Sequence, residues 1–324
     1  MSRLRWPLAA ATGLGLAAGL WAVGRAGLAG IGAAIGRMGW PGFVAYLLST
    51  VPMMVALGAA WAASMRGGAP RPLGLFVWAR AVREGANDLL PFSQLGGLVV
   101  GTRTLIRAGL DRPRVYAATI VDLTTEMMAQ LVLTLFGLWT LGALLVAPGD
   151  AARLHRIAMA GTIGIGALTI AFAMLQRPVL RLAALLAGRL LPAAEEAIHA
   201  VRLELVAFGR RRLASAPSFL CNMAAWLLSI ASAWFALRLL GTDLPYGRMI
   251  ALEALIFALR SSAFVIPGAL GVQEAGYLLL APLFGLDAQA ALALSLVKRG
   301  RDIMVGGAAL LIWQWREVKG VVRA

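Results

Sequence analysis

The strongest constraint on this chain is that apolar runs of membrane-crossing length recur along it, near residues 7–24, 41–64, 115–147, 157–175, 214–240 and 288–315. About 20 such residues in a helix, each rising ~1.5 Å, cross a hydrocarbon layer ~30 Å thick. The expected fold is therefore an all-α polytopic membrane protein. It is read as a single integral membrane domain over residues 1–324, with about six full spans and two broken helical hairpins in an inverted repeat. Composition agrees: 60% of the 324 residues are hydrophobic, 14% are charged, and the mean hydropathy is +0.80. The lone Cys221 excludes an intramolecular disulfide, and His155 and His199, the only histidines, leave nothing for a His-rich metal centre. No metal or cofactor is expected.

A formal charge of +15 would suggest nucleic acid on a soluble domain, but the placement of the basic residues follows membrane topology instead. With Arg3 and Arg5 on the cytoplasmic side, segments 66–114, 177–212 and 316–324 share that side, and these segments together with Arg3 and Arg5 hold 20 of the 30 Lys and Arg. Six lie opposite: Arg25, Arg37, Arg153, Arg156, Arg238 and Arg248. This asymmetry predicts an inner-membrane, multi-pass protein with both termini cytoplasmic. The first apolar run reads as a transmembrane helix, since no small-x-small cleavage site ends it.

Four cations remain at bilayer depth: Arg260, Lys298, Arg299 and Arg301. Asp122, Glu126, Glu253, Glu274 and Asp302 accompany them in otherwise apolar stretches. Each costs about 2.5–3.5 kcal/mol to insert, so such groups are expected to face water, a ligand or one another.

Two stretches depart from simple spans. Residues 84–110, EGANDLLPFSQLGGLVVGTRTLIRAGL, break at Pro91, Gly96 and Gly97; residues 253–286, EALIFALRSSAFVIPGALGVQEAGYLLLAPLFGL, break at Pro267, Gly268 and Gly271. Each reads as two half-helices joined by a turn, which lipid permits only where protein or a cavity satisfies the freed backbone. An offset of 176 superposes Pro91 on Pro267 and Gly109-Leu110-Asp111 on Gly285-Leu286-Asp287. The same offset sets Asp122 opposite Lys298 and Glu126 opposite Asp302. Repeat cores are read over 66–147 and 242–315. Three intervening spans would invert one core relative to the other, as in transporters whose sites lie between discontinuous helices.

The run LLPFSQLGGLVVGTRTLIRAGLDRPRVYAATIVDLTTEMMAQ and the later FVIPGALGVQEAGYLLLAPLFGL resemble the two hallmark segments of the lysylphosphatidylglycerol-synthetase transmembrane family. Within it, the chain is most similar to the stand-alone hopanoid-biosynthesis-associated membrane proteins. The resemblance implies handling of a lipid, or its movement across the inner membrane. Aminoacyl transfer belongs to a separate soluble domain of the bifunctional members and is not expected of a sequence ending nine residues after Trp315.

Asp122 and Glu126, four apart, share a helical face suited to a cationic head or a proton; alternatively they pair with Arg103 or Arg114 and hold the first hairpin. Two carboxylates alone make a poor metal site. Lys298, Arg301 and Asp302 share a second face, with Arg299 within a turn of Asp302. Their local excess of +2 suits a lipid phosphate, or else an internal ion-pair network with Glu274 and the acidic pair. Gln273 and Glu274 open a half-helix whose N-terminus attracts an anion, unless Glu274 caps it. Ser93, Gln94, Asn87 and Asp88 offer polar groups at the matching turn.

Elsewhere packing suffices: the Gly15/Gly19 and Gly32/Gly36 pairs suit helix contacts. Residues 193–212 read as a cytoplasmic interfacial amphipathic helix presenting Arg210, Arg211 and Arg212 to lipid heads. Trp40, Trp61, Trp313 and Trp315 read as interfacial anchors.

The expected function is lipid transport or flipping of an amphiphile with a polar or anionic head. Asp122 and Glu126 would form an acidic wall, and Lys298, Arg299 and Arg301 a basic one, around one chamber that also holds Arg260, Gln273, Glu274 and Asp302. The alternatives are a membrane-embedded lipid-modifying enzyme using Glu274 or Asp122 as general base, for which no nucleophile or His dyad is present, and a scaffold for lipid-biosynthetic enzymes. Membrane lipids are the expected partners, with lipid-biosynthetic enzymes under the scaffold reading, and nucleic acid is not.

Overall fold

A computed structural model describes residues 28–65, 71–89, 93–145, 203, 215–263 and 266–322. The expected spans near 7–24 and 157–175, nearly all of 193–212, the Gly15/Gly19 pair and Pro91 lie outside these residues. Among the described residues the chain is helical, without a strand.

Helix α1, Leu28–Ser49, is interrupted at Gly39, whose φ of 60° and ψ of 178° precede Pro41. Thr50 joins it to α2, Val51–Ser64. The first hairpin is α3, Leu73–Leu89, with α4, Ser93–Arg107. Then follow α5, Arg112–Leu145, and α6, Ala216–Leu239. The second hairpin is α7, Tyr246–Ser262, a 3₁₀ turn at Pro267–Ala269 and α8, Val272–Leu280. After a second 3₁₀ turn at Ala281–Phe284, α9, Ala288–Arg301, runs through a single π turn at Asp302–Gly306 into α10, Gly307–Val322.

Among the described residues, three stretches are long and apolar enough to cross a membrane: Gly32–Ser64, Arg112–Leu144 and Ala216–Leu239. The expected span at 288–315 is instead divided by the π turn, a local widening that recurs at functional positions.

The offset of 176 reappears in the backbone. Gly109 ends α4 with φ 85°, and Gly285 ends the α8 segment with φ 84°. In both places the following Leu donates its N–H five residues back, Leu110 to Leu105 and Leu286 to Ala281. Such a turn needs a left-handed residue, which glycine supplies without steric cost. In the second copy Asp287 then caps α9, accepting from the amides of Gln289 and Ala290.

One feature differs from the sequence reading. Gly96 and Gly97 do not form a turn; both lie inside α4, Ser93–Arg107. Gly97 is there because α4 lies against α3: a Cβ would stand 1.9 Å from Asn87 Oδ1 and 2.6 Å from the Arg83 carbonyl. Pro267, Gly268 and Gly271 do lie at the second break.

The main core joins α6, α7 and α9 around Ile230, Leu252, Ile256, Tyr277 and Leu294. The centres of α7 and α9 are buried on every side, as expected of helices that are apolar all round. By contrast, α5 exposes Met128, Val132 and Trp139, a surface that suits lipid. Gly32 and Gly36 meet no described atom within 4 Å of a built Cβ, so their expected packing role finds no described partner. Trp61 is fully buried rather than interfacial, with the Arg83 guanidinium 5.7 Å from its ring. Trp40 and Trp315 are exposed.

Helix α3 crosses the π turn closely. A Cβ on Gly85 would stand 2.5 Å from the Gly306 carbonyl oxygen, so backbone meets backbone. Gly85→Ala should therefore lower stability by about 1–3 kcal/mol, the usual cost of overpacking, as read by thermal unfolding in detergent. An unchanged midpoint would mean the crossing is looser than the coordinates show.

Candidate functional site: a buried ion-pair network

Helix α3 places Arg80 and Arg83 one turn apart on the face that meets α5, where Asp122 and Glu126 are likewise one turn apart. Arg80 Nη1 and Arg83 Nη1 donate to Asp122 Oδ2 at 2.9 and 3.1 Å. The second nitrogens serve Glu126, Arg83 Nη2 at 3.1 Å and Arg80 Nη2 in close contact. Asn222 of α6 donates to Asp122 Oδ1 at 3.2 Å, and Arg80 also pairs with Glu84 at 2.8 Å. Asp122 and Arg80 are 0% and 1% exposed, so this lattice is dry on its inner side. Planar guanidinium forks suit such two-by-two pairing, whereas a lysine would supply only a point charge.

At the position matching Asp122, Lys298 of α9 pairs with Glu253 of α7 at 2.5 Å and with the Tyr277 hydroxyl at 2.9 Å. Tyr277 donates in turn to Glu253. Each long helix is thus pinned to the first helix of its own hairpin by a buried ion pair, with the signs exchanged between the two copies.

Between these clusters runs a third. Arg260, near the C-terminus of α7, donates to Asp88 of α3 at 3.0 Å and to Gln273 of α8 at 2.8 Å, and lies 4.0 Å from Asp302. Gln273 reaches Ser295, which donates to Glu274. Arg301 folds back onto Asp302 Oδ1 at 2.5–2.9 Å. The second turn also meets the end of α3 here, since a Cβ on Gly268 would stand 2.5 Å from the Asp88 carbonyl oxygen.

Glu274 caps its own helix, accepting from the Gly271 amide at 2.8 Å. Arg299 donates to Glu274 at 3.0 Å and to the carbonyls of Gly268 and Ala269. The half-helix N-terminus expected to receive an anion therefore already holds one.

The two expected walls do not face each other across one chamber. Asp122 and Glu126 are bonded to Arg80 and Arg83, while Lys298, Arg299 and Arg301 diverge to Glu253, Glu274 and Asp302. Residues 298–302 span a change of helical pitch, so their side chains do not keep one direction. The expected excess of +2 also disappears, because six cations meet seven carboxylates in the network (Glu84, Asp88, Asp122, Glu126, Glu253, Glu274 and Asp302). Sequence reasoning missed Arg80 and Arg83, counting them as cytoplasmic cations; both are at least 96% buried. Their spacing of three, matched to carboxylates four apart, was the available signal. It also missed Tyr277, Ser295 and Asn222, whose residue types give no warning.

A helical bundle whose apolar helices enclose charged side chains in this way defines an integral membrane protein with a polar interior. A family model described as the lysylphosphatidylglycerol synthase TM region matches residues 8–309, and the chain belongs to that family. The family links it to lipid handling in a membrane. No curated protein and no solved structure matches it.

Proposed function

We propose that the chain moves a lipid with a polar head across the inner membrane, as a multi-pass protein with both termini cytoplasmic. The observation that carries this reading is the incompletely sealed middle of the network. Glu84, Asp88 and Arg260 keep 25%, 18% and 19% of their side-chain surface exposed, while Asp122, Glu253 and Lys298 in the flanking pairs keep at most 2%. A head at that edge exchanges one of its oxygens for a carboxylate on Arg260 or Arg299, and its tails stay in the bilayer. Two inverted units, meeting at Gly85 and Gly306, would rock about that contact to expose the head to either side. With six cations against seven carboxylates, the network carries no positive excess that would restrict the head to an anion; hopanoid-type lipids are one candidate, carried by the sequence resemblance.

The test uses proteoliposomes holding NBD-labelled phosphatidylglycerol, with dithionite bleaching the outer leaflet. Bleaching beyond the outer-leaflet fraction only when the protein is present is the expected result. Arg260→Gln should slow it about tenfold, the loss that follows removal of a charge-assisted hydrogen bond worth about 1.5 kcal/mol. Identical bleaching with and without the protein overturns the reading, and a new covalent lipid product by mass spectrometry would point to an enzyme.

A further inference from the structure

Arg260 stands between two carboxylates from different hairpins and serves them unequally. Asp88 of α3 holds its Nη2 at 3.0 Å, whereas Asp302 of the π turn is 4.0 Å away. Asp302 Oδ1 is filled by Arg301, but Oδ2 is buried and accepts no hydrogen bond. Beside it, the Tyr46 hydroxyl of α1 is also fully buried with no hydrogen-bond partner, in the field of Arg301 and Asp302. The other charges around Asp88 are already committed. Glu84 lies one turn before it on α3 and Asp302 across from it; of the further cations, Arg301 is engaged by Asp302, and Arg299, which reaches the same turn, by Glu274 and the carbonyls of Gly268 and Ala269. Glu253 on α7 faces Lys298, and Glu274 on α8 faces Arg299, so neither is available to Arg260.

A shared guanidinium with one satisfied and one waiting acceptor is a two-position arrangement. We propose that Asp88 is a proton-binding site whose protonation transfers Arg260 to Asp302, and that this exchange couples lipid movement to a transmembrane proton gradient. The coupling half rests on the transport reading above; the proton site does not. With Asp88 ionised, Arg260 ties α3 of the first hairpin to α7 of the second. A proton taken up on Asp88 removes the charge that holds the guanidinium, which stays cationic and moves about one ångström toward Asp302 Oδ2, as the two distances above require. Both Arg260 and Asp302 then lie within 242–315, the stretch read as the second repeat core, and the tie from Arg260 to α3 is released. The Gly85–Gly306 crossing has no side chains to interlock, so it permits that movement. Release of the proton to the other side restores the tie.

Two measurements on the full-length protein test this. In the first, infrared difference spectra follow the protonated-carboxyl band between about pH 8 and about pH 5. The expected result is one buried protonation in wild type that Asp88→Asn abolishes. In Asp302→Asn it should appear only at more acid pH, because Arg260 then serves a single carboxylate. An unmoved band in Asp302→Asn would overturn the sharing of Arg260 between the two carboxylates. No titrating band in wild type, or the same band in Asp88→Asn, overturns the proton site. In the second, redistribution of NBD-labelled phosphatidylglycerol is compared with and without an imposed pH difference. Wild type should respond to the direction of the gradient, and Asp88→Asn should redistribute lipid at a rate independent of it. A gradient-independent wild type overturns the coupling. Absence of any redistribution alongside an intact infrared titration would sink the transport reading alone.

Discussion

Asp122→Ala should lower the stability of the folded protein by about 3–5 kcal/mol, the cost of leaving buried charges without their counter-ion. The carboxylate is 0% exposed and accepts from Arg80, Arg83 and Asn222, three donors on two helices. Its loss leaves two guanidiniums sharing Glu126, and Glu84 can help only Arg80. Glu126 is 15% exposed, so water can replace part of what Glu126→Gln removes, and that change should cost about 1.5–3 kcal/mol. Unfolding in mild detergent, followed by tryptophan fluorescence, reads both. Equal losses would mean that burial does not rank the two carboxylates, and a wild-type midpoint for Asp122→Ala would mean that the lattice does not hold α3 to α5.

That ranking shows where the sequence was legible and where it was not. Asp122, Glu126, Lys298 and Asp302 stood out because a charge inside an apolar run carries an insertion cost wherever it ends up. Arg80 and Arg83 sit in a stretch already rich in arginines, VWARAVREGAND, where the same cost is invisible until their guanidiniums are seen to reach Asp122 and Glu126 of α5. The offset of 176 was readable because Gly-Leu-Asp encodes a left-handed turn followed by a helix cap, a local instruction that survives burial. That the two walls do not converge was not readable. It depends on side-chain direction, and the π turn at 302–306 redirects Asp302 relative to Lys298 in a way that a regular helical period cannot anticipate. Gly96 and Gly97 misled for a related reason, since glycine at a close helix crossing looks the same in sequence as glycine in a turn.

The second large effect concerns the copy with exchanged signs. Lys298→Met should cost about 3–5 kcal/mol, because Glu253, 0% exposed, would keep only the Tyr277 hydroxyl as a donor. Glu253→Gln should cost a similar amount by stranding the ammonium between Tyr277 and the ring of Phe257. The double variant Glu253→Gln/Lys298→Met removes both charges, keeps the volume and leaves Tyr277 an amide oxygen to bond. It should therefore recover most of the loss, with a coupling energy of about 2–3 kcal/mol in a double-mutant cycle. Additive losses would show that the two side chains matter for packing and not as a pair. The recovered variant then separates two roles that stability alone confounds. If the pair is only a clamp between α7 and α9, lipid redistribution returns with the fold. If the charges must part and rejoin as the hairpins rock, the double variant is as stable as wild type and still fails to move lipid, because a neutral contact has no alternative partner to exchange with.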